Sequence, residues 1–138
     1  MGKRRKSREL ALQLLYQLDL QGEAHPEPYL PEFWTRHPVD SEVREFAEVL
    51  VRGAKLHQGK IDELISQYTE NWEMDRMAVV DRNILREGVF ELLWLAEVPA
   101  KVAINEALEV AKKFSTHESS RFINGVLDRI HRELRPTS

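Results

Sequence analysis

RMAVVDRNILREGVFELLWLA, residues 76–96, decides the fold. Met77, Val80, Ile84, Leu85, Val89, Leu92 and Leu93 recur at helical spacing, yet they cover more than one side of the helix. A helix with one apolar stripe lies on a surface, whereas one that is apolar on several sides is enclosed by neighbours. The stretch therefore predicts a central helix or a bent helix pair. Asp75 offers the cap that starts it, and Pro99 stops it.

Working outward from this centre, each flanking segment supplies a single apolar stripe to cover it. Downstream, Ile104, Ala107, Leu108 and Ala111 repeat the i, i+3, i+4, i+7 template as far as Phe114. The polar run Ser115 to Ser120 reads as a turn. A last helix carries Ile123, Val126, Leu127, Ile130 and Leu134 inward and ends before Pro136. Upstream, Ile61, Leu64, Ile65 and Tyr68 give a short helix. Gly59 separates it from one capped by Asp40 or Ser41 and carrying Val43, Phe46, Ala47, Leu50 and Ala54. The first helix, from Arg5 to Leu20, buries Leu10, Ala11, Leu14, Leu15 and Leu18. Leu12 and Tyr16 fall on a different side, in line with Arg5 and Glu9. Residues 21–40, with Gly22, Pro26, Pro28, Pro31 and Pro38, form a proline-rich connection anchored by Tyr29, Leu30, Phe33 and Trp34. No stretch alternates as a half-buried strand does. The expectation is all-α: a compact bundle of about six or seven helices, forming one domain over residues 1–138 in one or two helical subdomains.

Composition excludes several function classes. With no cysteine among 138 residues, disulfides, thiolate metal sites and cysteine nucleophiles are absent, which fits a reducing, cytoplasmic compartment. No run of about eighteen apolar residues offers a membrane span, and the N-terminus lacks the apolar core of a secretion signal. The nearest approach to a zinc-protease motif, His117-Glu118-Ser119-Ser120-Arg121, has arginine where the second histidine belongs. The glycines at 2, 22, 53, 59, 88 and 125 never cluster into a phosphate-cradling loop, and no spacing pairs two carboxylates as acid and base. These features predict no catalytic residue, no metal and no cofactor.

Charge is what the sequence does concentrate. The overall balance is −3, but Lys3, Arg4, Arg5, Lys6 and Arg8 stand against Glu9 alone in the first ten residues. Because screening limits attraction to about 8 Å at physiological salt, such local concentration is what a phosphate-binding footprint requires. The bland alternative is a solvated basic end. Near the other terminus, Phe122 is displaced by one position from the Ile123 stripe, and Phe114 lies across the polar run from it, so the two rings are expected to flank one groove. Lys112, Lys113 and Arg121 are their neighbours. Rings interleaved with cations suit unpaired RNA, whose bases stack while its phosphates pair. The bland alternative is that both rings close a helix hairpin in the core.

Longer blocks now add a resemblance. Arg8-Glu9 leads into Ala11-Leu12-Gln13-Leu14-Leu15-Tyr16; Trp72 stands with Asp75-Arg76-Met77; Val80-Asp81-Arg82-Asn83-Ile84-Leu85-Arg86 precedes Phe90-Glu91-Leu92. The most specific blocks are Pro99-Ala100-Lys101-Val102-Ala103-Ile104-Asn105-Glu106-Ala107 and Phe122-Ile123-Asn124-Gly125-Val126-Leu127-Asp128. In this order, over nearly the whole chain outside residues 21–40, they resemble the bacterial transcription antitermination factor NusB family. The resemblance implies a helical fold that binds boxA RNA, pairs with the ribosomal small-subunit protein NusE and joins the RNA polymerase antitermination complex. It leaves open whether the free protein is a homodimer. The implied RNA surface comprises Lys3, Arg4, Arg5, Lys6, Arg8, Tyr16, Phe114, Glu118, Arg121 and Phe122. The implied protein-partner surface holds Asp81, Arg82 and Arg86, which periodicity alone reads as solvent-exposed polar residues. Glu118 stands where the family usually has aspartate, and Ser115 where it usually has glycine.

A rival reading from another class is a helical protein-interaction scaffold with no RNA specificity, its basic end merely solubilising. Salt separates the two, because RNA affinity falls steeply with log salt and a helix-groove contact does not. The accessory domain of an RNA methyltransferase is a third possibility, and chain length is expected to oppose it.

Overall fold

The computed structural model describes residues 2–69 and 74–134. Within them are seven helices: α1 (Lys3–Gln21), α2 (Leu30–Arg36), α3 (Ser41–Leu56), α4 (Gln58–Tyr68), α5 (Val79–Trp94), α6 (Ala100–Phe114) and α7 (His117–Leu134), with 3-10 turns at Glu27–Tyr29 and Met74–Arg76. No strand occurs among the described residues. Trp72 and Pro136, both used in the sequence reading, lie outside them. No described helix is long and apolar enough to cross a membrane.

α5 is the enclosed element that its sequence predicts. It packs against α1, α3, α4, α6 and α7, and Ile84, Leu85, Val89 and Leu92 are fully buried. One apolar cluster runs from Leu10 through Leu50, Ile61 and Ile65 to Ile123, Leu127 and Ile130. Each buried aliphatic side chain contributes about 1.5–3 kcal/mol relative to exposure, so the cluster dominates folding. Asp40 caps α3, its Oδ1 accepting from the Val43 amide at 3.2 Å. α1 stops where Gly22 takes a left-handed conformation (φ 67°), with the Glu23 amide reaching back to the Leu18 carbonyl at 2.9 Å. Gly53 on α3 is in place because the Phe90 ring occupies the space a Cβ would need.

The structure corrects several expectations. Asp75 does not cap α5: it lies in the 3-10 turn, and the helix starts at Val79 after an extended Ala78. The break between α3 and α4 is at His57, so Gly59 is inside α4. The polar run after Phe114 is mostly helix, because Thr116 Oγ1 accepts from the Ser119 amide at 3.0 Å and starts α7 there. The proline-rich connection contains α2, which buries Leu30, Phe33 and Trp34. Leu12, on a different side of α1 from the Leu10 stripe, is also core.

Candidate nucleic-acid and partner interface

Two helices build the face on which exposed cations and rings meet. Along α1, Lys6, Glu9, Gln13 and Tyr16 recur at three- or four-residue spacing and therefore share one side of the helix. α6 ends beside them. Lys113 Nζ lies 3.0 Å from Glu9 Oε1 and 5.5 Å from the centre of the Phe114 ring. Arg5, Lys6, Lys112 and Lys113 rim a hollow of about 520 Å³, with Glu9 and Glu109 as its acidic members. The next hollow along α1, about 570 Å³, is lined by Leu12, Gln13, Tyr16, Ala78, Val79, Val80 and Phe114. Tyr16 is 41% and Phe114 37% exposed, a suitable state for stacking.

The predicted cations divide by what holds them. Lys6 is exposed with no ion pair among the described residues. Lys3 bonds Glu42 at 2.7 Å, and the Arg4 guanidinium covers the Phe46 ring at 3.8 Å. Arg5 forms a two-point pair with Glu106 at 2.8 and 2.9 Å, and that pair holds the Glu106 carboxyl below its ordinary range against the opposing effect of burial. Arg8 leaves the predicted surface altogether. It is 3% exposed and grips Glu91 at 2.7 and 2.8 Å, because α1 turns it into the core toward α5. Beside that pair Glu87 is fully buried, with one oxygen unbonded; burial first, and then the charge of Glu91, push its carboxyl well above the ordinary 4.5.

Phe114 and Phe122 do not flank one groove. Phe122 packs partly against the core and lines a separate hollow of about 310 Å³ with Arg76, Met77, Asp81, Glu118 and Ser119. Ala78 belongs to both hollows. Glu118 and Arg121 are exposed on α7.

Asp81, Arg82 and Arg86 are not the solvent-facing residues that periodicity implied. Asp81 is 8% exposed and accepts from Ser115 at 2.5 Å and Ser119 at 2.6 Å, tying α5 to the start of α7. Arg82 pairs with Asp19 through two nitrogens, and Arg86 reaches both Asp19 and Asp62. Burial disfavours the Asp19 charge, but hydrogen bonds from Arg82 and Asn83 and the charge of Arg86 win, holding its carboxyl below the ordinary range. Sequence reasoning missed Asp19, Glu87, Val79 and Val80. Only the valine pair left a signal, as adjacent β-branched residues at a helix start where one of them must point away from the core.

Among the described residues no three histidines or carboxylates come together as a metal site. The arrangement offers cation pairing, ring stacking and an apolar recess.

Comparison with known proteins gives consistent likenesses. The model described as NusB family matches residues 5–132. The transcription antitermination protein NusB of Anaeromyxobacter dehalogenans (strain 2CP-1) is 48% identical over 136 residues, covering 98% of this chain and 94% of the relative. Among solved structures, T. maritima NusB superimposes with a TM-score of 0.85 at 39% identity, covering 94% of this chain and 91% of that one. A chain of the crystal structure of antitermination factors NusB and NusE in complex with dsRNA gives a TM-score of 0.86 at 31% identity, covering 96% and 98%.

Proposed function

The chain belongs to the NusB family, and from that premise we propose that it is a transcription antitermination factor. In this reading it binds boxA-type single-stranded RNA as a heterodimer with NusE, acts in the cytoplasm within RNA polymerase complexes, and catalyses no reaction. One observation carries the reading: α1 and the end of α6 line both the cationic hollow of Lys6, Lys112 and Lys113 and the hollow where Tyr16 and Phe114 are exposed, with Lys113 Nζ 5.5 Å from the Phe114 ring centre. Phosphates pair with the lysines and bases stack on the rings, at about 1–3 kcal/mol per stacked base. Arg121 and Phe122 extend the track along α7, and the Glu118 carboxylate is free to accept from a base amino group. Arg5, already matched by Glu106, and Lys3 and Arg4 contribute field more than contact. Arg8 serves the fold. We assign the NusE contact to the edge of α5 near Asp81, with Arg82 and Arg86, both engaged by Asp19, holding that edge from behind.

A second reading of the Tyr16 hollow is favoured by its apolar lining of Leu12, Ala78, Val79 and Val80. There an apolar side chain of NusE takes the recess, and RNA keeps to the cationic hollow and α7.

The test is a gel shift with boxA RNA and a scrambled strand, with and without NusE, over a salt series. The proposal expects tighter binding of boxA at fixed salt, strengthened by NusE, with log affinity falling about 0.7 per neutralised phosphate as log salt rises. Equal binding of both strands would refute it. Tyr16→Ala separates the two readings of the hollow: loss of RNA binding without NusE supports stacking, and loss only in its presence supports the partner.

A further inference from the structure

Asp19 lies one turn beyond Tyr16 on α1, and its side chain is 14% exposed. Four hydrogen bonds converge on its two oxygens: from Arg82 Nε at 2.7 Å and Nη2 at 2.9 Å, from Asn83 Nδ2 at 2.8 Å and from Arg86 Nη1 at 3.0 Å. Two of these donors also reach backbone. The Asn83 amide bonds the Val79 carbonyl at 2.8 Å, and Arg82 Nη1 bonds the Met74 carbonyl at 3.2 Å. One carboxylate of α1 is thereby tied to the main chain on both sides of Ala78. No side-chain cap holds the start of α5, so these bonds fix where Ala78, Val79 and Val80 stand. Those three residues form one wall of the hollow that Tyr16 and Phe114 also line.

We propose that Asp19 is a positioning residue: it sets the width of the hollow between Tyr16 and the Val79–Val80 wall, and so governs assembly on boxA RNA without touching RNA or partner. This rests on the proposed function, which makes that hollow a binding surface. The same ionic lattice supplies its own control. Arg86 continues to Asp62 on α4 through bonds of 2.8 and 3.0 Å, an arm that stabilises the fold but leads away from the wall. A merely structural role predicts that loss of either carboxylate acts alike.

The experiment compares Asp19→Asn with Asp62→Asn, with melting temperatures recorded so that binding is read on folded protein. Arg82→Met is the milder variant, since it removes the strut to Met74 and leaves Arg86 facing Asp19. Gel shifts use boxA RNA in the presence of NusE. Asp19→Asn and Arg82→Met should weaken the assembly roughly five- to tenfold, the lower range for coupling between groups that do not touch. Both should speed hydrogen exchange of the residue-82 amide, which bonds the Ala78 carbonyl at 3.0 Å, while Asp62→Asn binds as the unaltered protein does. Unchanged binding by Asp19→Asn and Arg82→Met, or an equal loss in Asp62→Asn, would overturn the assignment. Failure of the unaltered protein to bind boxA RNA even with NusE refutes the proposed function and takes this inference with it.

Discussion

Removing the Arg8 guanidinium should damage the fold and leave RNA electrostatics intact, the reverse of what an N-terminal arginine in a basic cluster implies. Arg8 and Glu91 have side-chain exposures of 4% and 2%, and both carboxylate oxygens of Glu91 are bonded. Arg8→Met leaves Glu91 buried without a counter-ion, next to Glu87, which is itself enclosed. Breaking a buried pair from one side costs about 3–5 kcal/mol, which for a domain near this size lowers Tm by roughly 10–15 °C. Removing the whole buried set together, as Arg8→Met with Glu87→Leu and Glu91→Leu, should recover most of that loss, because no uncompensated charge remains. Lys6→Met is the matched surface variant: it should leave Tm alone and flatten the salt slope of RNA binding by about 0.7. The assays are thermal melts and gel shifts over a salt series on all three proteins. If Arg8→Met kept its Tm and flattened the slope as Lys6→Met does, the placement of Arg8 against Glu91 would be wrong.

Three further outcomes follow from the same contacts. Phe114→Ala should lose about 1–3 kcal/mol of RNA binding with Tm unchanged, whereas Phe122→Ala, whose ring packs partly against the core, should lose binding and Tm together; the reverse pattern would exchange their roles. Glu87 has its folded-state pKa raised, so its contribution to stability is full below the ordinary 4.5 and is lost as pH rises through the folded value. Urea titrations should therefore show Glu87→Gln gaining on the unaltered protein with rising pH, and a pH-independent difference would refute a protonated Glu87. Gly53→Ala puts a methyl where the buried Phe90 ring stands and should cost about 1–3 kcal/mol in a urea melt, while an unaffected midpoint would mean the ring has room to turn.

What the sequence made legible was apolar periodicity. Ile61, Leu64, Ile65 and Tyr68 are all buried as their spacing requires, and α5 is enclosed because its apolar residues go around it. Local chemistry was legible where it is unambiguous, as at the Asp40 cap. It misled where one residue type serves two purposes: Ser115 to Ser120 reads as a turn because serine and threonine favour turns, yet the same preference makes Thr116 a cap. Polar side chains inside the protein were illegible for a different reason. Arg82 meets Asp19 across 63 residues and Arg8 meets Glu91 across 83, and no local pattern distinguishes a cation facing water from one facing a distant carboxylate. The proposed binding face was half legible: its lysines and rings stand out by residue type, and Val79 and Val80 do not.

Ala78 lines both the recess beside Tyr16 and the one beside Phe122. A guest that shifts Ala78 alters both recesses at once, and one that leaves it in place lets both fill. Thermodynamic reciprocity then requires that whatever the first arrival does to the second's affinity, the second does equally to the first's. On the proposed function, the order in which nucleotides and protein load can change the kinetics, but not the free energy of the finished assembly.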